Sequence, residues 1–166
     1  MKEEYTGHSG VKYIFEYTPM DSIDGLEFDL IKQSYAVCFC DDKIVIVHNS
    51  KKDQWELIGG TVDPGEHPDE TLCREIVEEA NMKVLEHRLL GVQKVTDTRD
   101  GSHFYQLRYV CKAEPIGVFE SDPDGTVDKI ALIDPKDYKE YFYWGKIGEA
   151  IIDSAVEFYK SKQKTG

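Results

Sequence analysis

Residues 60–82 read GTVDPGEHPDETLCREIVEEANM, and this stretch decides the fold. Asp63-Pro64-Gly65-Glu66 is a turn by its chemistry, since proline presets one backbone angle and glycine permits the next. Glu66, His67, Pro68 and Asp69 then read as a helix start. Pro68 falls near the first helical position, where its missing N–H costs nothing, and the acidic groups favour the positive end of the helix dipole. Leu72, Ile76 and Ala80 recur at a helical period and should face a core, with Cys73 and Val77 beside them. Glu75, Glu78 and Glu79 stand at i, i+3 and i+4 and so share one helix face.

Carboxylates crowded on one face repel, and at about 4 Å each like pair costs up to roughly 4 kcal/mol at an effective dielectric near 20. A cation there removes the conflict. Hard oxygen donors suit Mg²⁺ or Mn²⁺ rather than zinc, and the cysteines at 38, 40, 73 and 111 and the scattered histidines lack the spacing of a zinc site. Arg74 is placed to reach back to Glu66 as a fork. An acidic helix face alone is usually just solvated. The upstream context separates this one: Trp55-Glu56-Leu57-Ile58 reads as a short strand leading into Gly59-Gly60. The chain therefore runs strand, loop, helix, with backbone carbonyls near Gly59 able to join the carboxylates around a metal.

Gly60, Glu66, Arg74-Glu75-Ile76 and Glu78-Glu79 stand at the spacing G-x5-E-x7-R-E-U-x-E-E-x-G-U, with U an apolar residue. The stretch resembles the signature of the Nudix hydrolases, a match that chance produces on the order of once in a few hundred thousand such chains. The resemblance implies an α+β fold, an α/β/α sandwich with a mixed β-sheet. It implies water attack on phosphorus in a nucleoside diphosphate linked to another moiety. It also implies that Glu75, Glu78 and Glu79, with the Gly59 carbonyl, hold one or more Mg²⁺ or Mn²⁺ ions, and that the Arg74–Glu66 pair is structural support. Members differ in which carboxylate serves the attacking water, and Glu114, Glu120 and Asp128 are candidates outside the helix. Two positions depart from the pattern. Asn81 replaces a glycine that commonly takes the left-handed conformation, for which asparagine is the best substitute, and Ile58 replaces a proline before the double glycine.

A nucleobase needs an apolar or aromatic slot. Tyr35, Phe39, Phe104, Tyr105 and Tyr109 lie on strands that could line one, and Arg99 and His103 lie near a turn that could face it, although core packing or an exposed loop also accounts for each. Competing with hydrolysis is a Nudix-like module that senses a nucleotide without cleaving it, a reading that loss of the paired glutamates would favour; both are intact. Isoprenoid diphosphate isomerisation on a related fold needs further residues that cannot be placed. The proline of ADP-ribose hydrolases, which would fall near Asp97, and the tyrosine of diadenosine polyphosphate hydrolases, near Arg99, are absent. Oxidised nucleoside triphosphates, nucleotide sugars and capped RNA ends stay open.

A chain of 166 residues suits one domain, with the packed core expected over about residues 11–160. Hydrophobic content of 40% and aromatic content of 11% argue for a folded globule. No stretch has the length of a membrane span and the N-terminus lacks a signal-peptide pattern, so a cytoplasmic protein with reduced cysteines is the expectation. A net charge of −12 argues against nonspecific nucleic-acid or anionic-membrane binding and leaves a small nucleotide-type molecule as the expected partner, with a homodimer open. Strands are expected over residues 11–17, 34–40, 43–48, 84–95, 103–112 and 127–133, with a hairpin at Asp41-Asp42 and turns at residues 99–101 and 124–125. Residues 18–33 read as a loop that could hold an extended piece. Ile147, Ile151, Ser154 or Ala155, and Phe158 predict an amphipathic helix over 146–159, followed by a frayed tail over 160–166.

Overall fold

The computed structural model describes residues 1–7 and 9–165, and the motif helix is present as α1, Pro68–Ala80. Pro68 takes the first helical position, and the cap is His67, whose Nδ1 accepts from the Asp69 N–H at 3.1 Å. Leu72, Ile76 and Ala80 are at most 1% exposed, and burying a side chain such as Leu72 or Ile76 stabilises by about 1.5–3 kcal/mol. Val77, expected beside them, is 46% exposed instead. One residue on from Ile76, it is turned off the core stripe by the helical period. Asn81 ends the helix at φ 51° and ψ 47°, in the left-handed region.

Among the described residues, nine strands form one sheet: β1 (Lys2–Thr6), β2 (Lys12–Pro19), β3 (Ile31–Cys40), β4 (Lys43–Asn49), β5 (Gln54–Glu56), β6 (Ile58–Thr61), β7 (Met82–Asp97), β8 (His103–Pro115) and β9 (Val127–Ile133). Their order is β1-β2-β7-β8-β3-β4-β5, with β6 on β3 and β9 on β4. Pairs are antiparallel except β3 with β8, which makes the sheet mixed. Residues alternate across it. Ala36, Cys38 and Cys40 face the core shared with α1, whereas Val37 and Phe39 face the second helix, α2 (Gly145–Thr165), which buries Ile147, Ile151, Ile152 and Ala155. The result is the expected α/β/α sandwich.

Several boundaries differ from expectation. β1 lies before the expected start of the core and pairs along β2, and Glu3 within it caps α2 by accepting from the Lys146 N–H at 2.7 Å. The loop over residues 18–33 is shorter, with a 3-10 turn at Phe28–Leu30 leading into β3. Residues 55–58 are not one strand. Leu57, 2% exposed in the α2-side core, separates β5, paired with β4, from β6, paired with β3. The tail stays helical to Thr165, because Gln163 Nε2 donates to Asp42 Oδ1 at 3.0 Å and Lys162 lies 3.8 Å from Glu86. Gly166, part of the tail expected to fray, lies outside the described residues.

Candidate active site

At the edge of the sheet where β6 lies on β3, the loop from β6 leads into α1, and Arg74 ties the two together. Its Nε and Nη2 donate to the two Glu66 carboxylate oxygens at 2.8 and 3.1 Å, and Nη2 also reaches the Thr61 carbonyl at 3.1 Å. Glu66 accepts further bonds from Thr71 Oγ1 and the Asp63 N–H. The Arg74 bond, more than these others, holds the Glu66 pKa down at about 2. The loop is thus fixed against the helix by a bidentate pair. The same guanidinium leans on the acidic face, its Nη1 donating to Glu75 Oε1 at 3.0 Å and to Glu78 Oε2 at 3.1 Å.

The two glycines of β6 explain how Glu75 and Glu79 fit. A Cβ built on Gly60 would stand 2.5 Å from the Glu75 carboxyl carbon, so only glycine leaves room for that carboxylate. The Gly59 N–H donates to Glu79 Oε1 at 3.0 Å. Burial pushes Glu75 up to about 7, opposed by Arg74 and aided by Glu78 and Asp124. Burial also pushes Glu79 up to about 8, opposed by the Gly59 N–H and aided by Glu75, Asp122 and Glu56. Both carboxylates therefore exchange a proton near neutrality.

Among the described residues, no three His, Cys, Asp or Glu side chains stand together as a ready-made metal cage. Arg74 draws Glu75 and Glu78 toward itself while Glu79 is tied to Gly59. The donor chemistry nevertheless fits a hard divalent cation. All three side chains on this face offer carboxylate oxygens, and two of them carry a raised pKa that a nearby cation would relieve.

Of the residues considered for substrate or water, Tyr35 feels the charge of the glutamates: burial raises its pKa, Arg108 opposes this, and Glu56, Glu79 and Glu75 add to it. Phe39 is 1% exposed and stacks on Tyr159 of α2 at 4.1 Å, so it belongs to the core rather than to a slot. Asp128 is engaged with His48 Nδ1 at 2.7 Å, whose Nε2 meets Asp53 at 3.0 Å. Tyr109 donates to Asp69 at 2.7 Å and pins α1 to the sheet. Tyr105 packs at the margin of the α1-side core, and Glu114 sits opposite Lys83. Arg99 closes on Asp97, and His103 lies 3.9 Å from Glu27. Glu120 lines a groove with Glu78, Val77, Asn81 and Val118.

The structure adds acidic residues that the sequence reading missed. Asp122 is 7% exposed and accepts from the Val127 N–H at 3.1 Å. Asp122, Asp124 and Glu56 are the outside carboxylates whose charges act on Glu79 or Glu75. Asp122-Pro123-Asp124-Gly125 repeats the acidic turn chemistry of residues 63–66, a signal read only as a turn.

A family model described as the NUDIX domain matches residues 31–151. The rat diphosphoinositol polyphosphate phosphohydrolase 2 is 36% identical over 78 residues, covering 43% of this chain and 44% of that protein. The mouse diphosphoinositol polyphosphate phosphohydrolase 3-alpha is 40% identical over 63 residues, 34% of this chain and 38% of that protein. The chain thus spans less than half the length of these curated relatives. Among solved structures, the Bacillus subtilis pyrophosphohydrolase superposes with a TM-score of 0.58 at 19% identity, covering 80% of this chain and 77% of that one. A Caenorhabditis elegans Ap4A hydrolase complex gives 0.60 at 16% identity, covering 79% and 98%. At such identities the structural likeness is one of fold.

Proposed function

This chain belongs to the Nudix family, and on that premise we propose that it is a metal-dependent hydrolase of a diphosphate linkage, taking a nucleoside diphosphate derivative as substrate. The observation that carries the reading is the Gly59–Glu79 bond, which ties the β6 edge to a buried carboxylate that, like the neighbouring Glu75, has a pKa raised toward neutrality. Mg²⁺ or Mn²⁺ held by Glu75, Glu78 and Glu79, with the Gly59 carbonyl, would neutralise diphosphate charge and polarise its phosphorus–oxygen bonds.

The chain's own residues supply the rest. Arg74 and Glu66 hold the loop still, so that the reacting groups meet in one geometry. A carboxylate of this cluster, Glu75 or Glu79, would take a proton from water as its oxygen attacks phosphorus, a role that needs hydrogen-bond reach to that water. The anhydride phosphorus–oxygen bond breaks and the second phosphate departs with its electron pair. Asp122 and Asp124 raise the basicity of these carboxylates through their charge.

The names of the curated relatives add a second substrate class, a diphosphate on a polyphosphorylated ring. The test is a panel of both classes together with nucleoside monophosphates, assayed with Mg²⁺ and with Mn²⁺, with products identified by mass. Cleavage of a diphosphate linkage that is lost in chelator and in Glu79→Gln is expected. Preference for monoesters excludes this mechanism, and tight binding without turnover on the whole panel makes the protein a nucleotide sensor.

A further inference from the structure

Arg108 of β8 is 7% exposed, makes no ion pair among the described residues, and leaves Nε and Nη1 without a hydrogen-bond partner. A buried guanidinium without a counter-charge is strongly unfavourable, and burial here pushes its pKa down. Its neighbours are ring faces, Tyr35 at 4.9 Å and Trp144 at 5.5 Å, and one acceptor, Gln106 Oε1, at 3.0 Å from Nη2. That oxygen also accepts from Gln93 at 2.8 Å, while Gln106 Nε2 donates to Gln33 at 2.5 Å. Both lone pairs of the Gln106 oxygen are engaged, leaving it nothing further for Arg108.

The sheet register connects this cation to the glutamates. Gly91 lies opposite Arg108, Arg108 opposite Tyr35, and Tyr35 opposite Gly59, whose N–H holds Glu79. With strands about 4.8 Å apart, Arg108 stands about 10 Å from Gly59 along this row. The flanking glycines leave space that tyrosines occupy: a Cβ on Gly59 would lie 2.7 Å from Tyr35 Cα, and one on Gly91 would lie 2.5 Å from Tyr17 Oη. Tyr35 feels both ends, Arg108 lowering its pKa and Glu56, Glu79 and Glu75 raising it. Tyr35, Gln33, Gln106 and Trp144 are only half-buried, whereas the Arg108 Nε and Nη1 atoms are buried beneath them.

We propose that Arg108 is a substrate-binding residue, its unpaired Nε–H and Nη1–H taking the oxygens of a substrate phosphate beyond the diphosphate handled at Glu75, Glu78 and Glu79. The site thereby selects substrates that carry this further phosphate. The inference rests on the hydrolase reading for what lies at the glutamate end. A neutral base carbonyl would satisfy the N–H groups but leave the buried charge uncompensated, whereas an anion does both.

Inorganic tripolyphosphate, titrated in excess chelator and followed by Trp144 fluorescence in a Trp55→Phe background, separates the Arg108 end from metal chemistry. Saturable binding is expected, weakened about ten- to a hundred-fold in Arg108→Met. Gln106→Glu, which gives Arg108 an internal carboxylate, should weaken binding similarly while raising Tm, and it decides the matter if Arg108→Met does not fold. Absence of saturable binding, or affinity within about two-fold of the parent in the deciding variant, overturns the proposal. In turnover, Arg108→Met should lower kcat/KM about ten-fold or more only for substrates with the further phosphate. A loss that follows base identity instead overturns it in favour of base recognition. If nothing on the panel is cleaved while Arg108-dependent binding persists, the hydrolase reading fails and this binding site stands.

Discussion

The carboxylate of Glu75 fills the space that a side chain at Gly60 would need, its carboxyl carbon 2.5 Å from where a Cβ would stand. Gly60→Ala must therefore push Glu75 off its position. Because the displaced atoms end a flexible side chain, stability should change by less than about 1 kcal/mol, while kcat/KM falls about a hundred-fold. Gly59→Ala meets Tyr35 backbone at 2.7 Å instead, and should cost about 1–3 kcal/mol in thermal unfolding by disturbing the β3–β6 pairing. Full activity in Gly60→Ala would show that Glu75 is not needed where it lies.

Glu79 and Glu75 carry pKa values of about 8 and about 7, both raised from 4.5. Between pH 4.5 and these values the folded chain keeps protons that the unfolded chain has released, so stability falls as pH rises through this window and levels off above about 8. In chelator, Tm should decline from pH 5 to about 8, and Glu79→Gln should flatten the profile and raise Tm at the alkaline end. Added Mg²⁺ should reverse the decline. A Tm that is flat or rising over this range in chelator contradicts the assignment of buried, mutually repelling carboxylates.

Asn81 takes φ 51° at the end of α1, and its Nδ2 donates to the Val118 carbonyl at 3.2 Å. Asn81→Gly exchanges that bond for a backbone freer to adopt the conformation, and should change stability by no more than about 0.5 kcal/mol. Asn81→Val places a β-branched side chain in the left-handed region and should cost about 1–3 kcal/mol. Thermal unfolding of the two variants checks the difference, and a valine variant as stable as the parent refutes this account of the helix end.

Phe39 stacks on Tyr159 with ring centroids 4.1 Å apart. Phe39→Ala should cost about 3–5 kcal/mol by opening a cavity under α2. The ratio of kcat/KM values across the substrate panel should not change, since the ring lies in the core. A changed ratio at unchanged stability would return Phe39 to the substrate slot.

Local chemistry made much of this molecule legible. Pro68, the apolar spacing of Leu72, Ile76 and Ala80, and the positive φ at Asn81 are properties of a few neighbouring residues, and the structure carries all three. The strand over Val127–Ile133 and the hairpin at Asp41-Asp42 were legible for the same reason. β1 was not, because its five residues alternate weakly and its place depends on pairing with β2. The break at Leu57 was hidden as well: a run of apolar and polar residues does not say which of two neighbouring strands each half will join.

The sequence by itself determined the turn, the helix and the order of glutamates along one face, because i, i+3 and i+4 are neighbours on any α-helix. It also set the Arg74–Glu66 spacing, which a single turn and helix can close. Only the tertiary structure decided which distant charges act on those glutamates. Asp122 and Asp124 come from the approach to β9 and Glu56 from β5, and their positions follow from sheet order and loop closure rather than from any local pattern. The same is true of Arg108. In sequence it is one polar residue on a strand between Leu107 and Tyr109. It becomes a buried cation beside Tyr35 only because β8 and β3 run parallel in this register and α2 closes over their face with Trp144 at its start.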